Sequence, residues 1–217
     1  MLFIQHELQR TAQNLVADNI KNDEHVLIVS SSDQSKELID AIVSAASSTS
    51  AASVSAIIIA CPEDLKDYKH PAPVIASVKS ADLTIVATTL RFPRAYDDLS
   101  EALFKAGKRQ VLINNAPLED FTRGASLADP IELNRRTHAL AGKISEGKIV
   151  RVKSENGTNL SVKVCRPCIA LTGRAEIDTG FGSFPSGEAM LSPEEFSAEG
   201  IFVADSFGQV VYLNGSG

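Results

Sequence analysis

Short continuous apolar runs alternate with amphipathic stretches through the first half of the chain. His25–Ser30 (HVLIVS), Ser53–Ala60 (SVSAIIIA), Ala81–Thr89 (ADLTIVATT) and Arg109–Asn115 (RQVLINN) are rich in β-branched residues and lack polar alternation. Such runs predict parallel strands covered on both faces. Residues 1–20 place Leu2, Leu8, Ala12, Leu15 and Val16 at helical spacing. Leu38, Ile39, Ile42, Val43 and Ala46 form a second apolar face. Ser31 and Gln34 precede it at capping-box spacing, in which each side chain satisfies a free N–H at the helix start. Asp97–Gly107 predicts a further helix, with Leu99, Ala102, Leu103 and Ala106 inward and Gly107 as its C-terminal cap. Strands alternating with helices predict a doubly wound α/β sheet.

Near residue 120 the pattern changes. Asp129–Gly147 predicts one more helix, capped by Asp129 with Pro130 at its first position, and with Leu133, Thr137, Leu140 and Ile144 on one face. His138 falls nearly opposite Leu140 and Ile144, toward solvent. The remainder is β-type: Lys148–Val164, Ile169–Leu171 and Gly200–Leu213. The first of these predicts a hairpin around Asn156-Gly157, a pair that tolerates positive φ. The expected fold class is α/β: an N-terminal parallel-sheet domain over residues 1–125, then a β-rich α+β domain over residues 126–217.

Composition narrows the classes of function. A net charge of −6 with scattered Lys and Arg disfavours nucleic acid as a partner, because phosphate neutralisation needs a basic patch. No stretch approaches the roughly 18 apolar residues needed to span a bilayer, and the N-terminus does not read as a signal peptide. Three cysteines give no disulfide framework. These features predict a cytoplasmic protein without a membrane partner.

Candidate chemistry is sparse. Ser30, Ser31 and Ser32 follow the first strand and could hold an anion at a helix start, but no phosphate-loop motif accompanies them, so capping explains them. The C-x-x-C pair Cys165 and Cys168 has no second pair to complete a zinc site. His6, His25, His70 and His138 are widely separated and read as structural or surface residues. Residues 180–190, GFGSFPSGEAM, embed one acid, Glu188, among glycine, serine and proline. That acid is either a solvated turn residue or a hard oxygen ligand or base on a constrained loop.

The order and spacing of FTRGASLADP, the helix that follows it, GKIVRV…GTNL, FGSFPSGE and SAEG resemble the aminopeptidase T-like family of metallopeptidases, which includes relatives recruited as 2,5-dihydroxypyridine dioxygenase. The resemblance covers the second half well and the first half only as a general α/β (Rossmann-like) pattern. It implies a hydrolase or oxygenase that depends on a divalent metal ion (zinc, cobalt, manganese or iron) and acts on a small peptide or small-molecule substrate. The family's acidic P-T-E-E loop corresponds to Pro185, Ser186, Gly187 and Glu188, so Glu188 alone can serve as the metal residue. The family's remaining glutamates and its histidines, ending in an H-x-D pair, have no counterpart before Gly217. The chain is then a shortened member, a piece that stops early, or one whose partner chain supplies what is missing, and the expectation is weak or absent peptide or amide hydrolysis. A non-catalytic binding or assembly module of the same fold, or an enzyme acting on a small aromatic substrate, are the alternatives. A terminal strand around Val210–Leu213 at a sheet edge would favour a homo-oligomer.

Overall fold

A computed structural model describes residues 2–61, 68–89, 97–113, 117–176 and 180–204. The chain divides into two compact units: Met1–Thr137 with Leu171–Glu188, and His138–Ala170 with Ala189–Gly217. The first unit therefore extends past residue 125 and also takes in a later segment that the sequence pattern assigned to the β-rich part.

The first unit follows the expected alternation. Its elements are α1 (Leu2–Asn19), β1 (His25–Ser31), α2 (Lys36–Ser47), β2 (Ser53–Ile59), α3 (Ala72–Ser80), β3 (Leu83–Ala87), α4 (Asp98–Lys105) and β4 (Arg109–Leu112). Two 3-10 turns, Leu118–Phe121 and Gly124–Leu127, lead to α5 (Pro130–Glu146). Beyond α5 come β5 (Ile149–Lys153), β6 (Asn159–Lys163), β7 (Ile169–Leu171), β8 (Phe181–Ser183), β9 (Glu188–Met190) and β10 (Glu199–Ile201). No helix among the described residues is long and apolar enough to cross a membrane.

The main sheet has the order β2-β1-β3-β4-β8, and every pairing in it is parallel. The continuous apolar runs explain themselves here. Alternate residues of β1 point to opposite faces, so both faces need hydrophobic side chains. Val26 and Ile28 join Leu8, Leu15, Leu38 and Ile42 in one core, whereas Leu27 and Val29 join Val74, Val78, Leu99 and Leu103 in the other. β3 is buried along its whole length.

The helices match the sequence in position and differ at their edges. The cap of α2 is Ser35, whose Oγ accepts from the Leu38 N–H, and not Ser31 with Gln34. Ser31 still pairs in β1, opposite Ile59, which moves the helix start down the chain. Asp97 caps α4 by accepting from the Ser100 N–H, and Gly107 takes a positive φ just after that helix. Ala106, expected inward, is exposed. Asp129 accepts from the N–H groups of Ile131 and Glu132 at the start of α5, as its spacing predicts. Leu140, expected on the inward face of α5, is instead exposed, and Ala141 is the buried residue there. His138 is exposed, as expected. The short helix α3 was not legible as a separate periodic segment.

In the second unit β5 and β6 form the expected antiparallel hairpin, and β10 pairs on the other side of β6. The turn is longer than a two-residue one. The Ser154 N–H donates to Thr158 O, and Gly157, not Asn156, takes the positive φ. β7 and β9 form a two-stranded ribbon. The expected strand at Val210–Leu213 lies outside the described residues.

One polar clamp fixes the late segment Leu171–Glu188 to the first unit. Asn19, buried at the end of α1, donates from Nδ2 to Leu15 O and Gly173 O at 2.9 and 3.0 Å. Its Oδ1 accepts from the Ala175 N–H at 2.7 Å. Arg109 of β4 donates from Nη1 to the Asn19 carbonyl at 3.0 Å and from Nη2 to both Glu24 carboxylate oxygens at 2.6 Å. A buried amide that satisfies three backbone groups stabilises far more through what its loss would orphan than through each bond alone. Asn19→Ala should therefore lower the unfolding free energy by about 2–3 kcal/mol, read from urea titration.

Candidate functional site

The stretch GFGSFPSGE begins as sheet. Phe181–Ser183 form β8, and the Gln110 N–H donates to Gly180 O while the Phe184 N–H donates to Leu112 O, each at 2.8 Å. Gly182 faces the backbone of the segment after β7 so closely that a Cβ there would lie 2.7 Å from Arg174 C and 2.8 Å from Ala175 N. The Phe184-Pro185 peptide is cis. The Phe184 ring packs against Phe121 with centroids 5.8 Å apart, and the Ser186 hydroxyl donates to Leu171 O at 3.4 Å. Gly187 lies against Leu133 of α5, where a Cβ would come within 2.4 Å of Cδ1. Glu188 follows at once, exposed at the start of β9.

Behind this turn lies a cavity of about 20 Å³, lined by Asn14, Asp18, Ser126, Thr172, Phe184 and Ser186 among others. That is room for about one water. Asn134 donates from Nδ2 to the Thr172 hydroxyl at 3.2 Å at its margin. Burial raises the Asp18 carboxyl above its ordinary value, opposed by nearby Arg174 and aided by Glu176. Asp18 and Asn19 drew no notice in the sequence, and Ser186 entered only as a member of the resembling loop. A lone polar residue on an apolar helix face carries no signal until its partner, more than a hundred residues away, is placed.

Glu188 has no metal-binding company among the described residues: no group of three or more His, Cys, Asp or Glu side chains stands close enough to hold an ion. A zinc site needs three or four such ligands. The described donor set therefore does not by itself fit the metal that the resemblance implies.

The other residues weighed from sequence have structural partners. Ser31 Oγ accepts from the Thr89 N–H at 3.0 Å, and Ser32 Oγ accepts from the Cys61 N–H at 3.1 Å. These serines tie the ends of β1 to those of β3 and β2. The Thr89 hydroxyl donates to Asp33 at 2.6 Å and lowers its carboxyl below the usual range. His70 is buried, with Nδ1 2.7 Å from Asp98, whose carboxylate also accepts the His70 N–H. His25 Nδ1 bonds Ser53 Oγ at 2.9 Å. Cys61, Cys165 and Cys168 form no disulfide among the described residues, and the Cys168 N–H donates to Ser145 Oγ at 2.8 Å.

Residues 7–212 match the family described as NicX: 2,5-dihydroxypyridine 5,6-dioxygenase. The chain belongs to this family. Among solved structures, 2,5-dihydroxypyridine dioxygenase from Pseudomonas putida KT2440 superposes with a TM-score of 0.68 at 18% identity, covering 90% of this chain and 58% of that one. Wild-type AmpT from Thermus thermophilus superposes with a TM-score of 0.60 at 14% identity, covering 90% of this chain and 63% of that one. At these identities the likeness is one of fold, and the aminopeptidase side of the relationship is distant. The NicX-family chain described here spans less than two thirds of either structure. No curated protein matches it.

The close backbone approach at Gly182 makes this turn a sensitive point. Overpacking against backbone that cannot move typically costs about 1–3 kcal/mol. Gly182→Ala should fall in that range by thermal denaturation. Gly187→Ala should cost less, because the atom it meets is the end of the Leu133 side chain.

Proposed function

We propose that this chain belongs to a metal-dependent enzyme of the NicX type, acting on a small hydroxylated aromatic ring, with Glu188 contributing a carboxylate to the metal site. The observation that carries this reading is the family match across residues 7–212, which includes the GFGSFPSGE turn. The packing of that turn supports it. β8, the Phe184–Phe121 contact and the Gly187–Leu133 contact fix the backbone immediately before Glu188, so its carboxylate starts from a preset position. A single carboxylate is short of the ligands a divalent ion needs, and Gly187 offers no second one beside it. The remaining donors would come from outside the described residues. Iron, zinc, cobalt and manganese all accept carboxylate oxygen, so Glu188 does not choose among them.

A second reading, peptide or amide hydrolysis, draws on the fold likeness to AmpT. Substrate chemistry separates the two. The test is anaerobic reconstitution with ferrous iron or zinc, elemental analysis after desalting, and paired assays of dioxygen uptake with 2,5-dihydroxypyridine and of leucine p-nitroanilide cleavage. We expect iron retained near one per chain, dioxygen uptake with the pyridine, and metal affinity at least ~10-fold weaker in Glu188→Gln. Amide cleavage without dioxygen uptake would move the assignment to the second reading. Retention of no metal by either protein overturns the metal role of Glu188 and leaves a binding or assembly module.

A further inference from the structure

Four of the polar residues that line the cavity behind the GFGSFPSGE turn carry side-chain oxygen and no side-chain nitrogen. Ser126, Thr172 and Ser186 contribute hydroxyls and are each buried, and Asp18 contributes a half-buried carboxyl. Asn14 lines the cavity one turn before Asp18 on α1. All five belong to the first unit.

Most protons in this wall are already committed. The Ser126 hydroxyl donates to the carbonyls of Asp120 and Arg123, and the Ser186 hydroxyl to Leu171 O. The Asn19 amide, also in the wall, donates to Leu15 O and Gly173 O. Two hydroxyls and the carboxyl therefore keep mainly lone pairs, and the wall has more acceptors than donors. Among the described residues no hydrogen bond reaches the Asp18 carboxyl, and burial opposes its ionisation. The charges that act on Asp18 are Arg174 and Glu176, whose side chains lie 3.9 Å apart. With Asp18 the three sum to one negative charge.

We propose that this cavity binds one small monovalent cation, of the potassium, ammonium or sodium class, with Asp18 as its counter-charge and the hydroxyl oxygens of Ser126, Thr172 and Ser186 as neutral ligands. The volume sets the size, since room for about one water is room for one such ion. The single carboxylate sets the charge. It balances one positive charge, whereas a divalent ion would keep a surplus in a partly buried site. Water also fits the volume but leaves the carboxylate charge unbalanced. The bound ion ties α1 to Ser186, two residues before Glu188, and so braces the turn. The site shares no ligand with the metal role proposed for Glu188 and does not depend on it.

The test is thermal unfolding of the 217-residue chain at fixed ionic strength in potassium, sodium, ammonium or tetramethylammonium chloride. Tetramethylammonium is too large for the cavity and serves as the blank. The expected result is a midpoint higher by ~2–4 °C in about 100 mM of at least one small cation, saturating as its concentration rises. Asp18→Asn keeps the side-chain shape, removes the charge and should lose this response. Ser186→Ala should need at least ~3-fold more cation for half of it. Asp40→Asn, at an exposed carboxylate on α2, should retain it in full. Equal midpoints in all four salts overturn the proposal and leave a cavity that holds water. So does a response that Asp18→Asn keeps, or one that Asp40→Asn loses equally. If circular dichroism shows Asp18→Asn unfolded, an unchanged half-point in Ser186→Ala overturns the proposal instead.

Discussion

Asn19 is the residue on which the first unit depends for its late segment. A helix that ends in a buried amide must find partners for it, and this one finds them in Leu15 O, Gly173 O and the Ala175 N–H. The helix carbonyl at the same residue is taken by Arg109, which in turn holds Glu24 in two bonds. The end of α1, the start of β4 and the approach to β8 are thus one polar knot in an otherwise apolar layer. Removing one member of such a knot leaves charge or backbone unpaired, so it holds as a unit. Without it β8 would be three residues with little to keep them on the sheet.

That constraint also explains what a reader of the sequence could and could not see. The runs at His25–Ser30 and Ala81–Thr89 announce strands because burial on both faces demands unbroken hydrophobicity, whereas β2, from the run Ser53–Ala60, is not covered on both faces as expected and leaves Ser53, Ser55, Ala56 and Ile58 exposed. The face of α2 and the caps of α4 and α5 are local, and local signals survive without tertiary knowledge. The cap of α2 was displaced because Ser31 was still needed by the sheet. Leu140 fell at the margin of a helical face, where a rotation of one position decides burial, and Ala106 lies just past the end of α4. β8 was invisible because FGS has no apolar run: it is a strand only through its bonds to β4 and the Gly182 approach.

The candidate site shows the same division. Glu188 stood out because glycine, serine and proline around one acid mark a turn. The fixing of the turn by Phe121, Leu133 and Leu112 could not be read, since each partner lies far away in sequence. The shortage of metal donors among the described residues has a simple sequence origin: Gly187 puts no second acid beside Glu188, and the histidines lie on unrelated elements. Family membership supplies the chemistry to test, and the packed turn fixes the backbone that leads to Glu188.

The central claim is that Leu171–Glu188 is folded into the first unit and positions Glu188 from there. Native-state amide exchange in low denaturant tests it most directly, through the Ala175 amide bonded to Asn19 and the Phe184 amide bonded to Leu112 O. The account predicts protection within about tenfold of the Ile113 amide, which bonds to Val86 O in the sheet, with all three lost in one transition. Ala175 and Phe184 amides that open early, together with the Val164 amide of the β5–β6 hairpin region, would contradict it.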